Sequence, residues 1–258
     1  MSKDDIQEEN RGYRKLGTIT KRIRLSARKK GLLHVVFIAI KVAFGFMVNF
    51  FGCYLIYKPF KSKRMFIFQR KSYPYFYHWY NSAWRNERTI EIPIITDIVK
   101  KYHGKRILEV GNVLSHYIPI NHDVLDKYEE GKGVINQDIV DFAPSQKYDL
   151  IVSISTLEHV GWDEHPRDPM KIMIAINHLE QLLTENGKMF VTLPIGYNKV
   201  LDDLLTKGEI PLSQIHYFKR TTKSNDWIET LEDGALSKKY GSPYISANGL
   251  VIGTFKKR

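Results

Sequence analysis

From residue 105 onward, apolar residues come in short blocks separated by longer amphipathic stretches. RILEVG (106–111) reads as a buried strand, DVLD (123–126) as a short one, and VINQDI (134–139) and YDLIVSIS (148–155) as two more. Residues 168–185, DPMKIMIAINHLEQLLTE, place Met170, Ile174, Leu179 and Leu182 at near-helical spacing, and Asn186-Gly187 is expected to end that helix. KMFVTLP (188–194) and LVIGTFKK (250–257) supply the last strands. Strands alternating with helices predict an α/β fold, with a mostly parallel central sheet covered by helices on both faces. Ligands of such sheets bind at the carboxyl ends of the strands. A further helix is predicted over residues 86–102, with Pro93 placed awkwardly inside it.

A different pattern marks the N-terminal third. Residues 31–57, GLLHVVFIAIKVAFGFMVNFFGCYLIY, contain one charge, Lys41. As a helix this run reaches about 40 Å, enough to cross a hydrocarbon core of roughly 30 Å. At 100° per residue His34, Lys41, Gly45, Asn49 and Gly52 share one narrow sector, and the rest of the surface is apolar. That pattern predicts a helix lying in a membrane interface or shallowly inserted. A single pass is the alternative, made harder by Lys41 and by basic flanks on both sides. A helix buried against the domain, with Lys41 at its rim, is the remaining reading. Residues 71–84 then hold four Tyr, two Trp and one Phe, expected to staple the extension to the domain, with some of them poised as a lid.

Charge sharpens this division. The chain has 258 residues and a net charge of +11. Residues 1–75 hold 17 Lys and Arg against 4 Asp and Glu, whereas residues 76–258 hold 22 against 24. The basic excess therefore flanks the apolar run: nine basic residues over 11–30 and six over 58–71, with no acid in either. This distribution predicts attachment to an anionic membrane surface through residues 11–71 and disfavours a nucleic-acid groove. The expected organisation is a basic, apolar extension over 1–75 and a domain over 76–258, with its core starting near 86. One cysteine, Cys53, excludes an intramolecular disulfide framework.

Polar residues gather at the predicted carboxyl ends of the strands. Glu109 and Gly111 end the first, Asp126 the second, Asp138 the third, and Ser153 and Ser155 the fourth, followed by TLEHVGWDEH. Asp126 lies 17 residues after Glu109, near the spacing at which an acid takes ribose hydroxyls. The G-x-G-x-x-G pattern of a nicotinamide site is absent. His159, His116, Asp163 and His165 are candidate bases, with His159 first because it follows the fourth strand directly. EHVGWDEHPRD (158–168) contains metal-ligand types, but at no standard zinc spacing, and no metal is expected.

In this order the motifs resemble those of class I S-adenosylmethionine-dependent methyltransferases. ILEVGN is similar to their first motif, VLDKYE to the second, INQDI to the third and YDLIVSISTLEHV to the fourth, with LLTENGKMFVTLP following. YNSAWRNERTIEIPI also resembles an entry segment of methyltransferases found near glycan or cell-surface genes. The resemblance is carried by residues 86–194. It implies a Rossmann-like fold with S-adenosyl-L-methionine as cofactor. The cofactor would be held by Glu109, Gly111, Asn112, Asp126, Asp138, Ile139, Ser153 and Ser155, with Asp126 at the ribose and Asp138 and Ile139 about the adenine. One departure stands out. The usual acidic-x-Gly-x-Gly-x-Gly is reduced to Gly111, and Asn112 is expected to supply the missing left-handed turn. The expected activity is methyl transfer at the cytoplasmic face of a membrane, to a small-molecule, membrane-proximal or lipid-linked acceptor such as a glycan hydroxyl, with His159 as base. A membrane-attached scaffold without catalysis and a nucleic-acid methyltransferase are the rivals.

Overall fold

The structure is a computed structural model that describes residues 32–257. The basic run at 11–30 lies outside the described residues, so the membrane-facing charges expected there are not seen. The apolar run forms helix α1 (Leu32–Phe51) and a π-helical turn (Gly52–Tyr57), and the short α2 (Lys58–Lys61) continues it into the basic flank. Within it the 23 residues Ala39–Lys61, with a hydropathy of 1.7, are long and apolar enough to cross a membrane. Phe37, Ile40, Phe44 and Met47 are exposed. The polar sector does not simply face outward. Lys41 is exposed, but Asn49 Oδ1 accepts a hydrogen bond from Ser82 Oγ (2.9 Å), and the edge of the Trp84 ring lies against Gly52, where a Cβ would come within 3.1 Å of it. Thus the C-terminal end of the polar stripe meets protein, because those small and amide side chains are the ones that let the helix approach.

A hairpin follows, β1 (Met65–Phe68) with β2 (Lys71–Pro74). Its aromatic residues and those after it enter a core: Phe66, Phe68, Tyr73, Tyr75, Tyr77 and Trp84 are buried with Cys53. Tyr75 Oη accepts from the Trp227 amide (2.8 Å) and donates to its carbonyl (3.2 Å), tying this segment to the far edge of the sheet. Helix α3 (Arg88–Lys101) contains Pro93. Proline has no N–H, so the Thr89 carbonyl loses its helical donor. The Phe76 amide takes that place at 2.9 Å, and Thr89 Oγ1 returns a bond to the Phe76 carbonyl at 2.8 Å. The proline is therefore the docking point for the extended segment.

The central sheet contains β3 (Ile107–Val110), β4 (Asp123–Leu125), β5 (Val134–Ile135), β6 (Tyr148–Ile154), β7 (Leu183–Pro194), β8 (Gln214–Arg220), β9 (Trp227–Thr230) and β10 (Gly249–Lys256). Their order is β5-β4-β3-β6-β7-β10-β8-β9. Pairing is parallel from β5 to β7 and antiparallel from β7 to β9. This is the expected Rossmann-like α/β architecture, as a mixed sheet whose antiparallel half includes two strands, β8 and β9, that the apolar pattern does not announce. Helix α3 covers one face. Helices α4 (Lys171–Gln181) and α5 (Lys199–Thr206) cover the other, around Ile151, Leu179, Val191 and Val251. A last short helix, α6 (Glu232–Leu236), precedes β10.

Helix α4 stops at Gln181, four residues before the expected end. Leu183 already pairs with Tyr148, and the register shifts before Lys188 meets Leu150. Asn186-Gly187 sits in that irregularity instead of capping the helix. A Cβ on Gly187 would come within 2.9 Å of the Tyr148 carbonyl oxygen. Burial of Leu183 draws the chain into the sheet sooner than the Asn-Gly signal suggests.

Candidate functional site

The chain leaves β3 toward β4 on one side and reaches β6 on the other, so the order reverses there and a crevice opens at the carboxyl ends. A cavity of about 590 Å³ occupies it, lined by residues that include Gly111, Asn112, Asp126, Asp138, Ile139, Ser155 and His159. Gly111 has φ +86°, and a Cβ would lie 2.2 Å from Thr156 Oγ1. Both backbone and space demand glycine here. Asn112 is not in the left-handed region, so Gly111 alone makes the turn. The Asn112 side chain instead donates to Glu129 Oε1 (2.7 Å) and accepts from the Ser115 hydroxyl.

Glu109 does not face the cavity. It is fully buried, its Oε1 accepts the Val113 and Leu114 amides (2.8 and 2.7 Å), and its Oε2 accepts from His122 Nε2 (2.8 Å). Its carboxylate folds the loop after Gly111 back over the strand, supplying by hydrogen bonds the shape that further glycines permit elsewhere. Ser153 is also outside the cavity, buried in mid-sheet with its hydroxyl unpartnered. Asp126 accepts the Tyr128, Glu129 and Asn112 amides (2.8, 2.7 and 3.1 Å). A carboxylate offers about four acceptor positions, so one remains for a ligand hydroxyl. Asp138 caps a 3₁₀ turn at Ile139–Asp141 and is bound by Lys127 (2.7 Å) and Lys171 (2.5 Å), which also hold Glu164 at 2.8 and 2.7 Å. Although burial opposes it, the two ammonium partners hold the Asp138 carboxyl below its usual range.

The opposite wall is assembled from elements far apart in sequence. Ser155, at φ +40°, donates from Oγ to Glu91 Oε1 (2.5 Å) on α3, whose Oε2 pairs with Arg88 (2.5 Å). Glu87, Glu91 and Glu158 are all buried around the Arg88 guanidinium. Burial pushes the Glu158 carboxyl up to about 7 against the opposing charge of His159, and Glu158 Oε2 has no hydrogen-bond partner. His159 Nδ1 lies 2.5 Å from Asp163 Oδ2, which also accepts the Tyr197 hydroxyl at 2.6 Å. His159 Nε2 stands 3.6 Å from Glu158 Oε1, too far for a hydrogen bond. Burial lowers the His159 pKa, but the Asp163 bond and the charges of Glu158 and Asp163 outweigh it, leaving the ring above its ordinary value.

Of the other candidate bases, His116 Nε2 is committed to Glu129 (2.9 Å) and its ring stacks on Tyr80 (4.5 Å), while His165 lies away from the cavity. Among the described residues no group of three or more His, Cys, Asp or Glu is placed to hold a metal ion. Arg88, Glu91, Tyr80 and Tyr197 were not singled out as site residues from sequence. Arg88 and Glu91 carry no local signal, because a charged pair three apart on a helix with Asp97, Lys100 and Lys101 reads as an ordinary solvated face until its burial is seen.

No protein-family model matches the sequence, and no curated protein matches it. Solved structures similar to the chain include the N-methyltransferase NodS from Bradyrhizobium japonicum WM9 in complex with S-adenosyl-L-homocysteine. That likeness is at 12% identity and TM-score 0.40, over 63% of this chain and 84% of that one. A second NodS structure is similar at 14% identity and TM-score 0.38, over 66% and 98%. A possible histamine N-methyltransferase from Thermotoga maritima is similar at 13% identity and TM-score 0.37, over 65% and 96%.

Proposed function

We propose that the protein is an S-adenosylmethionine-dependent methyltransferase working at the cytoplasmic face of a membrane, on a membrane-proximal or lipid-linked acceptor such as a glycan hydroxyl. The observation that carries the cofactor half is the corner at the switch point. Gly111 turns the chain at φ +86° and lets Thr156 pack directly against it, which shapes the cavity floor, and Asp126 keeps one acceptor position beside it. Gly111 and Asn112 then line the methionine side, Asp126 takes the ribose, and Ile139 packs on the base. Asp138 contributes by anchoring Lys127 and Lys171 at that end. Glu109 acts from behind the loop, and Ser155 from the opposite wall.

The bound cofactor supplies an electrophilic methyl group, so the chain has to align a nucleophile and receive its proton. His159 suits that task. Asp163 accepts from Nδ1–H and fixes the tautomer, which leaves Nε2 to take a proton from an acceptor hydroxyl. Tyr197 holds Asp163 in place. Arg88 and Tyr80 line the same cavity and position the acceptor.

Support for the membrane half comes from α1. Its apolar residues are exposed, basic runs flank it, and Phe46 and Phe50 pack on Trp79 at 5.1 and 6.5 Å. Trp79 adjoins Tyr80 and Asn81, which line the cavity. A membrane-seated α1 therefore sets the cavity mouth near the lipid surface. The cytoplasmic side follows from where the cofactor is made.

The deciding experiment is calorimetric titration of S-adenosylmethionine and S-adenosylhomocysteine into full-length protein. Micromolar binding that is lost in Gly111→Ala and Asp126→Ala, each checked for folding by circular dichroism, is expected. Absence of binding by folded wild-type protein would sink the enzyme reading. A membrane-attached scaffold would then be the better account.

A further inference from the structure

A second cavity, of about 550 Å³, opens at the other end of β3, between the last turns of α3 and the loop at 118–122. It shares no lining residue with the first. Two buried polar atoms on residues that line it have no hydrogen-bond partner, His122 Nδ1 and Thr96 Oγ1. The His122 side chain is only 3% exposed. Its Nε2 must carry a proton, because it faces Glu109 Oε2, and a carboxylate that already takes two amides on its other oxygen can only accept. Nδ1, itself closed to solvent, is thus left without a partner in the cavity wall.

The surroundings favour an anion. Lys100 and Lys105 line the cavity, are exposed, and make no ion pair with the described residues. The one acid in the lining, Asp123, is already held by Tyr148 Oη (2.8 Å) and Arg106 (3.4 Å). Ile118 and Ile120 offer an apolar wall. Binding would take up one proton from solution onto Nδ1, because the lone pair of a neutral ring repels a carboxylate; the charged ring would then stand between two oxyanions, one from the ligand and one from Glu109. The Thr96 hydroxyl would donate to the same ligand group.

We propose that this cavity is a second binding site, for a small carboxylate with an apolar tail, and that His122 passes its occupancy to the loop after Gly111 through Glu109. The second half rests on the reading that the upper cavity holds the cofactor. A ring that is an N–H donor at both nitrogens draws the Glu109 carboxylate toward Oε2. The hold of Oε1 on the Val113 and Leu114 amides then weakens, and cofactor affinity falls. Linkage requires the reverse as well: cofactor must weaken the carboxylate by the same factor.

Sodium isovalerate is the probe, titrated calorimetrically into full-length protein, with sodium phosphate as the control anion. Thr96→Val keeps the shape and removes the hydroxyl, and Lys100→Glu reverses a rim charge; neither residue touches the upper cavity. The expected result is saturable millimolar binding of isovalerate, weakened about tenfold by Thr96→Val, with the His122 Nδ1 resonance in ¹⁵N-histidine spectra moving to the protonated range. Saturating isovalerate should raise the dissociation constant of S-adenosylhomocysteine about fivefold. No saturable binding by folded protein overturns the site, as does binding that both variants leave unchanged while the His122 resonance stays put. Isovalerate binding with an unaltered S-adenosylhomocysteine affinity upholds the site and overturns the relay. Isovalerate binding by a protein that takes no S-adenosylhomocysteine upholds the site and removes the relay together with the cofactor reading.

Discussion

The two walls of the upper cavity treat carboxylates in opposite ways. On the side of β4 and β5, Asp126 is bonded to three amides and Asp138 to two ammonium groups, so each negative charge is matched where it stands. Behind the side of α3 and β6, Glu87, Glu91 and Glu158, none of them a lining residue, crowd the Arg88 guanidinium that does line the cavity, and one carboxylate oxygen has no partner. A satisfied wall is pre-organised and suits holding a ligand of fixed shape. An under-compensated wall has shifted proton affinities and suits chemistry. On the proposed reading, the difference separates a binding half from a reacting half within one crevice.

Removing the guanidinium that those acids share tests the contrast hardest. Arg88→Met should destabilise the fold by about 3–5 kcal/mol, because breaking a buried ion pair strands its partner. Urea denaturation measures it, and a loss under 1 kcal/mol would mean that the acids are already protonated. His159→Gln comes next. It should leave S-adenosylhomocysteine affinity within about threefold while lowering methyl transfer about 10²-fold. Wild-type turnover should rise with pH through a value above that of free imidazole, since the neutral ring is needed and Asp163 helps raise its proton affinity. Asp163→Asn should move that limb to lower pH.

Glu158→Gln probes the under-compensated wall alone. The Glu158 carboxyl is raised from 4.5 to about 7, so it favours the folded state below pH 4.5 and that contribution is lost as pH climbs toward 7. The variant should therefore match wild type near pH 5 and exceed it by about 2 kcal/mol at pH 8, read from paired urea curves. Equal stability at both pH values would place the carboxyl in water. The smallest effect expected is from Asn49→Ala. Loss of the Ser82 bond should cost about 1 kcal/mol or less and leave sedimentation with anionic vesicles unchanged.

How much of this was legible in the sequence varied with distance along the chain. Strands β3, β6 and β10 stood out because each is rich in branched apolar residues, and Gly111 and Asp126 stood out because they punctuate such runs. The orientation of a residue at a strand end is another matter. Ser153 and Ser155 share a parity, yet the chain leaves the pleat at Ser155, so one stays in the sheet and the other reaches the cavity. Glu109 has the right type and place but spends its carboxylate on its own loop. Arg88 and Glu91 meet Ser155 across more than 60 residues of chain, a contact that local pattern does not encode. The hairpin of β8 and β9 is polar along much of its length and hides among loops.

Pro93 has a mechanical consequence. By vacating one helical donor, it lets the strand-like segment at Phe76 fasten to α3 through a pair of bonds at Thr89, next to Arg88. Three residues beyond Phe76, Trp79 carries the rings of α1, and Ser82 carries Asn49. Tension on α1 thus has a short load path into the wall that holds the guanidinium. The bonds at Thr89 use the main-chain groups of Phe76, so side-chain replacement at Phe76 would leave that path standing.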